Sequence, residues 1–370
     1  MVSMRPKSPA PPLVLVILNR ISTHPELTST SLANKAGFLD LQRAIEYSFG
    51  MTYFDVFNGD ADGICALHQW RLVQPQESML ITGVKRDIAL LKRVHADVGD
   101  KVLVLDISLD KNREALLRVL DAGASVDYFD HHFAGEIPQH PCMTSHINTA
   151  ADVCTSLLVN DYLNGKHLLW AVTAAFGDNL FDAATKAAEP LALDAEQLKQ
   201  LEQLGTLINY NGYGVNESDL YFHPADLYRE IQPFENPFDF IKQSKSYNVL
   251  AEGYSSDMAK VTQLAIESDD EATAFIMLPN EAWTRRVSGV YGNALAREHP
   301  NRAHALLTLM DDESYRVSVR SPLVHKTGAD ELCMQFPTGG GRKAAAGINA
   351  LPANMLDSFV DAFKRQYRTI

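Results

Sequence analysis

The chain has 370 residues, too many for one small domain, and 46% hydrophobic with 21% charged residues marks a folded, soluble protein rather than a disordered one. Its formal net charge of −13 weighs against a protein that grips long DNA or RNA, which calls for a basic face, and suits short or small anionic substrates better. Four cysteines, Cys65, Cys142, Cys154 and Cys333, are too scattered for a zinc site or a disulfide framework and point to the reducing cytoplasm.

Residues 1–50 form a Pro-, Ser- and Thr-rich leader, expected to be either a poorly ordered extension or the product of an upstream start codon, and in both cases without chemistry. Its apolar run PPLVLVIL is far too short to span a bilayer. From Met51 to about residue 208, apolar strands alternate with helical patterns: TYFDVF with GICALHQWRLV, KVLVLDIS with NREALLRVLDAG, SVDYFD with ADVCTSLLVNDYL. Such alternation predicts an α/β unit around a parallel sheet, with ligand groups gathered at the carboxyl ends of the strands. A further helix, KHLLWAVTAAF, stops at Gly177 and presents Asp178.

Residues 209–256, rich in Asn, Tyr, Phe and Pro, read as an inter-domain linker whose aromatics anchor it. Residues 257–370 form a second, smaller α/β unit with strands ATAFIML, HALLTLM and YRVSVRS and helices TRRVSGVYGNALAREHP and PANMLDSFVDAFKRQY. Between the last strand and the last helix, TGGGRKAAAG reads as a glycine-rich loop opening toward a small-residue helix.

The chemistry concentrates at the predicted strand ends. NGDADG places Asp60 and Asp62 two positions apart, Asp106 ends KVLVLD, Asp130, His131 and His132 follow VDYF, and Asp178 follows a helix. No Lys or Arg stands between Met51 and Trp70 to offset Asp60 and Asp62, so a cation from outside the chain is expected between them. Carboxylates with a few imidazoles suit Mn²⁺ or Mg²⁺ better than soft metals. Two such ions would need a bridging acid, and together would activate a water while clamping a phosphoryl group. Each residue alone has a plainer explanation: Asp60 as a helix cap, Asp106 as a strand-end acid, either histidine as a loop residue. The weight lies in their joint order.

That order resembles the DHH phosphoesterase family, in the branch with a carboxyl-terminal DHHA1 substrate-binding domain. DADG, the Asp of VLVLDIS, FDHH, Gly177-Asp178, SVRS and GGGRKAAAG follow in the family's order from Asp55 to about Gly347. The resemblance implies that residues 51–208 are the DHH catalytic domain and 257–370 the DHHA1 domain. It implies two Mn²⁺ ions, with Mg²⁺ as the other candidate: Asp60 on the first, Asp62 on the second, Asp106 bridging, His131 and Asp178 completing the coordination of the second ion. Asp130 would orient a histidine, and His132 would contact the scissile phosphate. Gly339, Gly340 and Gly341 would close on a phosphate or ribose through backbone N–H groups, and Arg320 would pair with a substrate phosphate.

Two positions depart from the family pattern. Asn58 stands where many relatives carry a histidine ligand of the first metal, and an amide oxygen is a poorer, neutral ligand. Arg342 stands where relatives commonly have the histidine of GGGH; an arginine there can fork onto the O6 and N7 of guanine or hold a terminal phosphate. The expected activity is hydrolysis of a short linear oligonucleotide, with a dinucleotide such as pGpG, a product of cyclic-di-GMP signalling, as the first candidate substrate. The alternatives are a 3′,5′-bisphosphate nucleotide phosphatase, a cyclic dinucleotide phosphodiesterase, a single-strand exonuclease of the RecJ type, and a non-catalytic nucleotide sensor. No long duplex and no membrane is expected as a partner.

Overall fold

The computed structural model describes residues 50–261, 263–264 and 266–368, so the expected leader lies outside the described residues apart from Gly50. Residues from Tyr53 onward belong to one unit built on two sheets. The first sheet has the order β2-β1-β3-β4-β5, formed by β1 (Tyr53–Phe57), β2 (Met79–Ile81), β3 (Lys101–Leu105), β4 (Ser125–Asp130) and β5 (Met143–Ile147). Every neighbouring pair is parallel, as the alternating pattern predicts.

Both faces of this sheet are covered, and successive strand residues supply the two cores in turn. Phe54, Val56, Val102, Val104, Val126 and Tyr128 pack with Leu116, Val119 and Leu120 of α2 (Leu109–Asp121). Phe57, Leu103, Leu105 and Phe129 pack on the other side with α1 (Ala61–Val73), α3 (Thr155–Tyr162), α4 (Leu168–Gly177) and α6 (Ala195–Gly212). Between α4 and α6 lies α5 (Phe181–Ala188). Helix α1 is buried from Ala61 to Arg71, which is why its sequence shows no polar stripe.

The stretch 209–256 is largely helical, with α7 (Pro224–Ile231), α8 (Pro237–Gln243) and the start of α9 (Lys245–Val261). Leu227, Tyr228, Ile231, Phe240 and Leu250 from these helices complete the core beneath α1.

The second sheet has the order β10-β11-β9-β8-β7-β6, with β6 (Ile266–Asp269), β7 (Thr273–Leu278), β8 (Ala303–Leu309), β9 (Tyr315–Arg320), β10 (Gly339–Gly341) and β11 (Ala345–Leu351). Only β7 and β8 run parallel, joined through α10 (Ala282–Glu298); the other pairs are antiparallel. Short α11 (Ala329–Cys333) and α12 (Leu356–Tyr367) close its core, where Phe359 and Phe363 are buried. The small-residue helix expected after the glycines is absent. Ala345–Leu351 is strand β11, pairing with β9 and with Gly339–Gly341, so GGGRKAAAG is a hairpin rather than a loop and helix. Small side chains let the strands approach: a Cβ on Gly347 would stand 2.7 Å from the Val317 carbonyl oxygen.

Helix α10 is the element that ties the sheets together. Its Val287 and Val290 pack with Tyr210 and Val261, Arg286 Nη2 contacts Asp257 Oδ2 at 2.7 Å, and Arg285 forks onto Asp219 at 2.9 and 2.6 Å.

One buried ion pair sits inside the first sheet. Arg71 of α1 reaches Asp55 of β1 through Nε at 2.8 Å and Nη2 at 2.5 Å, and Ser78 Oγ donates to the same carboxylate. Arg71→Met strands the Asp55 charge and is expected to lower stability by about 3–5 kcal/mol. Urea unfolding would show a lower midpoint at unchanged slope, and Asp55→Leu added to Arg71→Met should restore much of the loss.

Candidate active site

The strand order 2-1-3-4-5 reverses direction between β1 and β3, and the crevice outside the carboxyl ends at such a point is where ligands bind in open α/β sheets. Asp60 and Asp62 follow β1, Asp106 follows β3, and Asp130 ends β4 with His131 and His132 behind it. Asp178 arrives from the other side as the residue closing α4. The structure therefore brings all seven together, and Asp60, Asp62, Asp106, Asp130 and His131 are buried.

Local hydrogen bonds fix each carboxylate. Asp60 caps α1, its Oδ1 accepting from the amides of Asp62 at 3.0 Å and Gly63 at 3.1 Å. Gly63 has no room for a side chain, since a Cβ would lie 2.2 Å from the Asn58 carbonyl oxygen. Asp62 takes both of its bonds from the amino end of α3, Ser156 N to Oδ1 and Thr155 N to Oδ2, each at 2.7 Å. Asp106 adopts φ +60°, a left-handed conformation uncommon for a non-glycine residue, and accepts from Thr155 Oγ1 at 3.2 Å.

The histidines are oriented by their Nδ1 atoms. His131 Nδ1 lies 2.8 Å from the Val153 carbonyl oxygen, so Nδ1 carries the proton. Its Nε2 lone pair then faces Asp106 at 3.4 Å, Asp178 at 3.7 Å and Asp62 at 3.9 Å. His132 Nδ1 lies 2.7 Å from Asp130 Oδ1, and the ring is part-exposed. Asp130 thus orients His132, leaving the opposite ring nitrogen available to a ligand.

The geometry fits a hard divalent ion. Asp106, His131 and His132 offer ligand atoms all within 4.8 Å of one another, and an imidazole lone pair aimed at three carboxylates has no favourable partner other than a proton or a metal. Of these residues His132 is the weaker ligand through Nδ1, because Asp130 already uses that atom. Burial together with Asp62, Asp60, Asp178 and Asp130 pushes the Asp106 carboxyl well above the usual carboxylate range. Asn58 is buried beside the cluster; its Nδ2 donates to the Lys85 carbonyl at 3.4 Å and its Oδ1 has no hydrogen-bond partner.

Sequence reasoning missed Lys85. Expected from outside the chain, a cation is supplied in part by this residue: Lys85 Nζ is hydrogen-bonded to Asp60 Oδ2, to Asn209 Oδ1 at 3.2 Å and to Asp178 Oδ1 at 3.4 Å. Burial alone would lower the lysine and raise the aspartate. Their mutual attraction outweighs it, so Lys85 is held well above its ordinary value and Asp60 below. Lys85 follows a three-residue edge strand with no readable periodicity, which left no signal for its role.

Beyond Lys85 the charge turns positive. Lys85 Nζ lies 5.7 Å from the centre of the Tyr213 ring, and Tyr213 lines a cleft with Arg86, Arg285, Arg316 and Ser318. Arg285 is paired with Asp219, but among the described residues Arg86, Arg316 and Arg320 form no ion pair. Arg320 donates to Asn293 Oδ1 at 2.7 Å and Ser318 Oγ at 3.0 Å, and Arg316 Nε is buried without a partner. Burial and then the nearby Arg316 lower Arg86 to about 10, and burial lowers both Arg316 and Arg320. Three crowded guanidiniums that form no ion pair among the described residues suit an anion. Arg316, Ser318 and Arg320 share one face of β9 by period two, the signal from which Arg316 was recoverable.

The remaining candidates stand on the second sheet, in the hairpin of β10 and β11. Gly339, Gly340 and Gly341 form edge strand β10. Arg342 is exposed at the turn into β11, where Ala345 pairs with Arg320. Among the described residues no ion pair joins Arg342 to the acidic centre.

No family model matches the sequence, and no curated protein does. Solved structures do match. One is exonuclease RecJ bound to manganese, with TM-score 0.57 at 15% identity, covering 86% of this chain and 90% of that one. The DHH domain of a member of a ribosomal-protein family matches with TM-score 0.57 at 13% identity over 96% of each chain. A pGpG-specific phosphodiesterase, PggH from Vibrio cholerae, matches with TM-score 0.50 at 13% identity over 86% of this chain and 99% of its own. The chain has the fold of the DHH-domain proteins, as its ordered motifs led one to expect.

Asp106 holds its proton to higher pH in the folded chain than in the unfolded one, so stability of the metal-free protein falls as pH rises through that interval. Asp106→Asn, which tolerates the same backbone, should remove this slope and raise the metal-free melting temperature at neutral pH by roughly 2 °C. Added Mn²⁺ is expected to stabilise the parent and not this variant, which thermal melts with and without the ion would check.

Proposed function

We propose that this chain is a metal-dependent phosphodiesterase that hydrolyses short linear oligonucleotides to nucleoside monophosphates, with a dinucleotide such as pGpG as its substrate and Mn²⁺ as its ion. The observation that carries the reading is the pairing of opposites across Tyr213: a carboxylate and histidine centre on one side, unpaired arginines on the other. A metal centre at one end and a phosphate cradle at the other suit a substrate with one bond to cut and one end to hold. The DHH-domain fold, shared with a pGpG-specific phosphodiesterase and with a manganese-bound exonuclease, supports the same class.

Asp62, Asp106, His131 and Asp178 would hold the ion, with Asp60 on the side of Lys85. A bound divalent ion would supply Lewis acidity toward the phosphoryl oxygens and lower the pKa of a water. His132, oriented through Nδ1 by Asp130, would donate from its other nitrogen to the charge building on the scissile phosphate. Arg320 and Arg316 would take the distal phosphate, with the glycine strand closing on the ribose. Arg342, exposed at the hairpin turn, is the candidate reader of guanine. In this reading residues 51–208 are the catalytic domain and 257–370 the substrate-binding domain, with 209–256 between them.

The test is product analysis by mass spectrometry after incubation with Mn²⁺ and pGpG, pApA, cyclic di-GMP, pAp or a longer single strand. Selective conversion of pGpG to GMP is expected; preference for the long strand would favour an exonuclease, and binding of every nucleotide without turnover would leave a sensor. Arg316→Met is expected to reduce kcat/KM for pGpG by roughly 10- to 100-fold, mainly through KM, since it removes a charged contact to phosphate rather than to the reacting centre.

A further inference from the structure

We propose that the Lys85 ammonium is a built-in cation of the acidic centre, so that the chain binds one divalent ion at Asp106 and His131 rather than two. The inference rests on reading the centre as a metal-dependent phosphoesterase and specifies its metal content.

The centre divides into two unequal halves. On one side the oxygens of Asp60 are occupied, Oδ1 by the amides of Asp62 and Gly63 and Oδ2 by Lys85. An ammonium has three N–H donors, and here three oxygens receive them: Asp60 Oδ2, Asn209 Oδ1 and Asp178 Oδ1. The lysine is anchored at its backbone too, its amide donating to the Gly212 carbonyl at 2.9 Å and its carbonyl accepting from Asn58 Nδ2. Its side chain is only 23% exposed. Full donor satisfaction and a held backbone describe a placed cation, not a surface lysine resting on an acid.

On the other side the His131 lone pair faces Asp106, Asp178 and Asp62, and among the described residues no Lys or Arg of the chain pairs with Asp62 or Asp106. That half still needs positive charge. A divalent ion placed against Asp60 Oδ2 would have to displace the ammonium or stand beside it, and like charges at contact distance repel strongly in a buried site. Asn58 and Asn209, both in contact with Lys85 on the Asp60 half, are neutral and add no charge to draw such an ion.

The test is metal content after equilibrium dialysis against Mn²⁺, measured by elemental analysis, with electron paramagnetic resonance of the same samples. The parent is expected to hold one ion per chain and to show the spectrum of an isolated Mn²⁺. Lys85→Met should take up a second ion and gain the exchange-coupled signal of neighbouring ions, whereas Lys85→Arg should stay at one. Two ions in the parent would overturn the proposal without recourse to any variant, and so would a Lys85→Met protein that folds yet stays at one. No ion in the parent, with no thermal shift on adding Mn²⁺, would instead overturn the metal-dependent reading itself.

Discussion

Five carboxylates from four segments meet at the end of the first sheet, and their mutual repulsion is the constraint around which the rest of the structure is arranged. Burial makes that repulsion larger, because little water remains to screen it. The fold answers with partial positive charge wherever the backbone can supply it. The first turn of α1 donates two amides to Asp60, and that of α3 donates two to Asp62. Among the described residues, full positive charge comes from Lys85, on one side of the centre. Asp106 is left as the group under greatest electrostatic load, and it also carries a strained backbone angle. Strain and charge concentrated on one residue are what a site tolerates when something outside the chain completes it.

The same loop that delivers Lys85 to the acids delivers Arg86 to the arginine group. Lys85 and Arg86 are the two central residues of a turn closed by the Asp87 amide on the Val84 carbonyl at 2.8 Å, so one dipeptide beyond β2 addresses both poles of the cleft. The joint held by Arg285, Arg286, Asp219 and Asp257 keeps the second sheet in place against the first. Distance between the acidic centre and the arginines is thereby set by buried ion pairs rather than by a free tether.

What could be read from the sequence follows from how local the signal is. Asp60, Asp62, Asp106 and the Asp130-His131-His132 run each sit directly behind an apolar strand of five or six residues, so strand, turn and acid are legible together. Asp178 was legible because a glycine ends its helix. Lys85 was not, since its strand is three residues long and its partners lie 25, 93 and 124 positions away. The run GGGRKAAAG misled for a different reason: alanines favour a helix locally, but the open edges of β9 and Gly339–Gly341 offer backbone pairing that only the tertiary structure reveals. Arg316 lay in view, two turns of the strand pleat along the face on which Arg320 was already recognised.

The position of Asp178 has a source with no polar group in it. Gly177 sits where α1, α4 and α6 touch backbone to backbone: a Cβ there would come within 2.4 Å of the Ala61 Cβ and 2.8 Å of the Gly205 carbonyl oxygen. Gly205 is closed in by the Thr173 carbonyl in the same way. Ala61 is also the residue between the two acids that open α1. A single methyl group added at this joint would wedge the helices apart and carry Asp178 away from His131 and Lys85 without altering any charge. The geometry of the acidic centre can therefore be lost through residues that touch none of its side chains, in the clearance between three helices.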